Sequence, residues 1–169
     1  MHRIRILLIT TIAVLSTVAA ASLAAAAGAS LVSAAPSTTG RAPVAHPAAV
    51  AKVQLRQTSL GRILVNGRGR TLYMFSRDGS GHDRCATIPS CPGVWPALTS
   101  TGTPTAGAGV KAALLGTIVL AHGARQVTYA GHPLYTYLGD SAPGETSYVG
   151  VRQFGGRWYA LSSGGGRVS

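Results

Sequence analysis

Three groups of residues have types and spacings that bear on chemistry. Cys85 and Cys91, the only cysteines, stand with five residues between them. Such a pair can cycle as a redox couple or close as a disulfide. The spacing is not Cys-x-x-Cys, so a structural disulfide is the expectation for an exported chain. Closing so short a loop contributes about 2 kcal/mol in the chain-entropy account. The second group, Asp78-Gly79-Ser80-Gly81-His82-Asp83, places two carboxylates, a hydroxyl and an imidazole within six residues. Asp78, His82 and Asp83 are therefore candidate cation ligands. Calcium takes six to eight oxygens, and the loop lacks the glutamate that closes an EF-hand. Zinc would need His82 joined by reduced Cys85 and Cys91, which export opposes. A polar turn without a metal or other cofactor is the expectation.

The third group is a Tyr-x-aromatic-x-x-Asp motif that occurs twice, as Tyr73, Phe75 and Asp78 and again as Tyr135, Tyr137 and Asp140. Alternation along a strand puts both aromatics of a copy on one face, with the aspartate just beyond, where the chain turns. Two readings follow. Either the aromatics are core and the aspartate shapes a turn, or the aromatics and carboxylates contact a ligand. Catalysis has less to stand on. His122, His132, Ser141 and Glu145 can be drawn as a hydrolase triad, but nothing in the sequence positions them. There is no Gly-x-Ser-x-Gly elbow and no His-Glu-x-x-His. His132-Pro133 more plainly shapes a turn, since proline biases its predecessor toward extended backbone. The sequence reads as a non-enzyme.

The elements that must hold these groups read as mainly β. Ile63-Leu64-Val65, the turn Asn66-Gly67-Arg68-Gly69 and Thr71–Phe75 are expected to form a hairpin, because Asn-Gly tolerates positive φ. The unit then recurs. At an offset of 62, Val65, Gly69, Leu72, Tyr73, Phe75 and Asp78 fall on Val127, Gly131, Leu134, Tyr135, Tyr137 and Asp140. One residue further on, Trp95-Pro96-Ala97-Leu98 meets Trp158-Tyr159-Ala160-Leu161. Each copy, about 59–98 and 122–161, thus closes on a segment that reads as a further strand around a core tryptophan, Trp95 or Trp158. Units this short do not bury an apolar face alone, so the copies should pack about a pseudo-two-fold axis. The result would be one small sandwich or barrel-like domain of two antiparallel β units, 53–163. Val110–Leu115 has the composition of a short connector helix, and 164–169 of a frayed tail.

Ahead of this domain, Met1-His2-Arg3-Ile4-Arg5 runs into an uncharged apolar stretch from Ile6 to about Ala27. Residues 1–34 read as a signal peptide or, uncleaved, an N-terminal anchor helix; both outcomes place the domain outside the cytoplasm. No cysteine precedes Cys85, so no lipid anchor is expected. Residues 35–52, rich in Pro and Ala, read as a disordered tether. After residue 34 the chain carries 13 Lys and Arg against four acids, 13 − 4 = +9. That balance favours anionic partners and opposes self-association, so a monomer is expected. In a bacterial envelope those partners are wall polymers or lipid headgroups. Nucleic acid is not expected, since the basic residues are scattered and the compartment is wrong.

The two Tyr-x-aromatic-x-x-Asp motifs, the cysteine pair before Trp95-Pro96 and the later Gln126-Val127-x-Tyr129-x-Gly131-x-Pro133-Leu134-Tyr135 together resemble a family of predicted bacterial lipoproteins also called secreted repeats of unknown function. The resemblance covers about Ser59 to Gly165. It implies an exported location and a repeat architecture, and brings no activity with it. The expectation is an exported, non-catalytic envelope or secreted β module. The alternative is an extracytoplasmic metal-handling or redox protein built on the Cys85/Cys91 loop and the Asp78–Asp83 turn.

Overall fold

The structure is a computed structural model and describes residues 49–169; the signal or anchor segment and most of the tether lie outside the described residues. Strand β1 (Lys52–Thr58) and β2 (Gly61–Asn66) form an antiparallel hairpin. Its turn is closed by the Thr58 hydroxyl, which donates to the Gly61 carbonyl and accepts from the Leu60 amide. Gly61 holds φ +89° there, a value at which a side chain would be strained. The second copy repeats the unit as β5 (Leu115–Val119) and β6 (Arg125–Tyr129). Burial runs without alternation through Ile63, Leu64 and Val65 of β2 and through Gln126, Val127, Thr128 and Tyr129 of β6, so these stretches are covered on both faces.

These hairpins are not the one expected from the sequence. The Asn66 turn forms, with Asn66 Oδ1 accepting from the Arg68 and Arg70 amides, but β2 meets the following segment only at a bridge between Val65 and Thr71. β3 (Tyr73–Phe75) then leaves it for β9 (Gly156–Leu161). The hairpin partner of β2 is β1, whose start lies within the expected tether: Ala51 is already buried, its amide bonded to Ser100 Oγ. The expected connector helix shrinks to one 3-10 turn, Ala112–Leu114, because Leu115 begins β5. Helical composition lost there to strand pairing. The tail is not frayed either. β10 (Arg167–Val168) pairs with β9, and Gly165 is buried against Ala130.

The remaining short strands complete three sheets. β4 (Thr105–Ala106) adds in parallel to β1; β7 (His132–Pro133) closes on β6 through Ala130-Gly131; β8 (Arg152–Gln153) lies on β9. Ala130 and Gly131 at φ +49° and +80° make the two-residue turn whose twist suits a hairpin. Among the described residues, helix is confined to α1 (Cys91–Val94) and 3-10 turns. The domain is mainly β, in two repeats around a shared core.

That core is built by exchange between the repeats. Tyr73 pairs with Ala160, and Tyr135 with Ala97, its counterpart at the second offset. Ile63 bridges Ser162, and Gln126 bridges Thr99 in the same relation. Each repeat's closing Trp-x-Ala-Leu segment therefore lies against the motif strand of the other repeat. The first copy of that segment, Trp95–Leu98, makes only isolated bridges instead of the strand expected, because α1 turns the chain immediately before Trp95.

Candidate functional site

At the centre, Tyr73 and Tyr135 exchange both backbone hydrogen bonds, amide to carbonyl at 2.9 and 3.0 Å. This reciprocal pair marks the pseudo-two-fold axis. From it the two side chains reach to opposite repeats. The Tyr73 hydroxyl donates to the Asp140 carboxylate at 3.2 Å, and the Tyr135 hydroxyl lies 2.8 Å from Asp78 Oδ2. Each motif tyrosine is thus bonded to the aspartate of the other motif. Both tyrosines and Asp140 are buried, and Asp78 is half-buried. Burial pushes both tyrosine hydroxyls far above their ordinary pKa, so they remain donors. Asp78 and Asp140 do not converge, since each is held by a different tyrosine.

Around the axis the aromatics stack in sequence. Trp95 and Trp158 lie face to face, centroids 3.9 Å apart with planes 3° from parallel. Phe75 of the first motif stacks on Trp158 at 4.3 Å, and Tyr137 of the second leans on Trp95 at 4.5 Å. Tyr73 and Tyr135 meet their own repeat's tryptophan edge-on, at 5.1 and 5.2 Å. The symmetry breaks at the indoles: Trp95 Nε1 donates to Gln153 Oε1 at 2.8 Å, whereas Trp158 Nε1 is buried with no acceptor.

The axis also breaks at the carboxylates. Asp83 Oδ1 lies 2.8 Å from the same Tyr135 hydroxyl that faces Asp78. A phenol carries one proton and donates to one carboxylate only. The second 2.8 Å contact is a hydrogen bond only when the other carboxyl group is itself protonated and donates back. Asp78 faces the hydroxyl through Oδ2. Burial raises its pKa to about 6, with Asp83 adding to the rise, against the Arg84 amide and Tyr135, which lower it. Two carboxyl groups of the first repeat thus meet at one phenol of the second.

The other candidate groups are spent on the fold. His82 Nδ1 lies 2.8 Å from the Ser80 carbonyl, and the Arg84 and Ala86 amides donate to Asp78 and Asp83. Asp78, His82 and Asp83 do not converge on a point, and no group of three metal-ligating side chains occurs among the described residues. Cys85 and Cys91 form a disulfide, Cα atoms 5.4 Å apart, buried in the aromatic cluster. Beside it opens a cleft of about 410 Å³ lined by Asp83, Trp95, Pro92, Pro96 and His122. Ser141 serves Glu145, its amide and hydroxyl both donating to Oε2. These bonds form a local turn, not a nucleophile and base.

The family described as a secreted repeat of unknown function matches the chain twice, over residues 54–99 and 116–162. The chain belongs to that family. Each matched segment of this secreted repeat protein contains one strand hairpin, one Tyr-x-aromatic-x-x-Asp motif and one core tryptophan, so the family unit is the structural repeat. Secretion also accounts for the oxidised cysteine pair. No curated protein and no solved structure matches the chain.

Sequence reasoning placed the motif residues on a strand and turn but did not see that they cross. Gln153 and Tyr148, which partners Tyr137 at 3.8 Å, were missed altogether. Neither recurs at the repeat offset, so spacing carries no signal for them.

Proposed function

We propose that this secreted repeat is a non-catalytic module of the bacterial cell envelope whose basic surface engages anionic polymers. One observation carries the reading: acids and bases are segregated. Residues 49–169 hold 12 Lys and Arg and four acids, 12 − 4 = +8. Eleven of those cations are exposed, and Arg70 is half-buried. The four acids turn to internal donors: Asp78, Asp83 and Asp140 to tyrosine hydroxyls and backbone amides, Glu145 to Ser141 and Ala142. The surface charge is consequently more one-sided than the net charge states, and such a field concentrates polyanions.

The crossed tyrosine–aspartate pairs belong in this reading to the scaffold. They lock the repeats together and hold the surface in register. Co-sedimentation of the purified protein with cell-wall preparations tests the proposal. Binding at low salt that falls steeply toward physiological ionic strength is expected, as screening predicts. Recovery of no protein in the wall pellet at low salt defeats it.

A further inference from the structure

We propose that one face of β9, carrying Arg157 and Tyr159 and flanked by Arg152 and Arg167, is the surface that binds a linear phosphodiester polymer; this rests on the envelope-module reading and deepens it. Arg152 and Arg157 stand directly opposite each other across the β8–β9 hairpin. The Arg157 amide bonds to Ser76 Oγ and its carbonyl accepts from the Ser76 amide, so its pairing with Arg152 is the non-hydrogen-bonded kind, in which side chains come closest. Like charges in that position destabilise a sheet. An anion between them removes the penalty.

Four residues along the same edge, Arg167 pairs opposite Leu161, and its guanidinium sits 5.3 Å from the centroid of the Tyr159 ring. At about 3.3 Å per residue the two ends of the strip are about 13 Å apart. A single phosphate does not span that length, whereas a chain with phosphates at intervals does. The guanidiniums are also positioned. Arg157 Nη1 donates to the Gly150 carbonyl at 2.9 Å, leaving its other N–H groups outward, and the planar fork matches phosphate oxygens in pairs.

Among the described residues, none of the four Asp and Glu side chains bonds to the arginines of the strip. The cation that lowers Asp78 is Arg84 and the one that lowers Asp140 is Arg70, neither of them in the strip. A lipid surface fits less well, because the exposed large apolar side chains Val50, Leu60, Val119 and Leu138 belong to other segments. None of those four flanks the arginines.

The test compares two triple variants of equal charge, Arg152→Gln/Arg157→Gln/Arg167→Gln and Arg62→Gln/Arg68→Gln/Arg125→Gln, by calorimetric titration with poly(glycerol phosphate), with inorganic phosphate and anionic phospholipid vesicles as further arms. The strip variant is expected to lose roughly tenfold or more in polymer affinity and to lower the salt slope by about 2 to 3, the share of three phosphate contacts. The control variant should lose no more than about threefold from the general field. Equal losses in the two variants overturn the strip while leaving the basic-surface reading in place. Vesicles bound as tightly as the polymer, or free phosphate bound as tightly, overturn the polymer assignment. Absence of any polymer binding by the native protein overturns both readings. Arg152→Gln alone should raise the unfolding temperature by relieving the like-charge pair, which shows directly that the two arginines repel in the folded protein.

Discussion

A tyrosine hydroxyl shared by two carboxyl groups makes Tyr135 the side chain whose polar end matters most. Tyr135→Phe leaves Asp78 and Asp83 in a half-buried place without the hydroxyl that both face, and a loss of about 2 to 3 kcal/mol is expected. Tyr73→Phe removes a longer contact to one carboxylate and should cost less. Thermal unfolding of the two variants ranks them, and the reverse order contradicts the account. The same carboxylates set a pH dependence. Burial raises both Asp78 and Asp140 to about 6, above the value near 3.9 of an unfolded chain. The folded protein then takes up protons that the unfolded chain does not as pH falls from 7 to 5, so stability rises over that interval. Burial, with Arg167 second, lowers the pKa of His132, which works the other way and trims the rise. Glu145, lowered chiefly by the Ser141 and Ala142 amides, loses its contribution only as pH falls below its ordinary range. Urea midpoints at pH 7, 6 and 5 should climb in the native protein and stay nearly level in Asp78→Asn/Asp140→Asn. A climb of the same size in that variant assigns the protons elsewhere.

Among the elements, the tail and the disulfide loop yield separate tests. Gly165 has φ +82°, and a Cβ there would meet Ala130 Cβ at 2.4 Å. Gly165→Ala should therefore cost about 2 to 4 kcal/mol through strain and overpacking. Gly164→Ala, with nothing nearer than Ser162 Oγ at 3.8 Å, should be close to neutral. A tail loose in solution would leave both neutral. Joint replacement of Cys85 and Cys91 by alanine should lower stability by about 2 kcal/mol, the entropy of a short closed loop, with the aromatic cluster intact by near-ultraviolet circular dichroism.

For the molecule as a whole, exchange has a consequence that a pair of self-contained repeats would not. Residues 49–106 and 107–169 each hold a motif strand whose partner segment lies in the other fragment. Neither fragment should show a cooperative unfolding transition alone, and mixing them should restore the native tryptophan signal of the Trp95–Trp158 stack. A cooperative transition in either isolated fragment removes the exchange from the account. The arrangement also explains why the tyrosine and aspartate keep their spacing in both copies: each is a half of two bonds, and neither bond lies within its own repeat.

The sequence by itself determined the β class, the duplication, the disulfide and the two core tryptophans, Trp95 and Trp158. Those properties are local or composition-borne: strand alternation, turn glycines, recurrence at one offset, two cysteines and no others. The pairing of these parts was decided by the tertiary structure alone. β1 was hidden because Lys52–Thr58 joins a Pro/Ala-rich run without a break in composition, and β5 because Leu115 completes a segment of helical residues. Partner choice escaped for a different reason. Tyr73 could satisfy its backbone beside Val65 or beside Ala160, and local propensity does not separate the two. Burying Trp95 against Trp158, with both motif aspartates bonded across the axis, does.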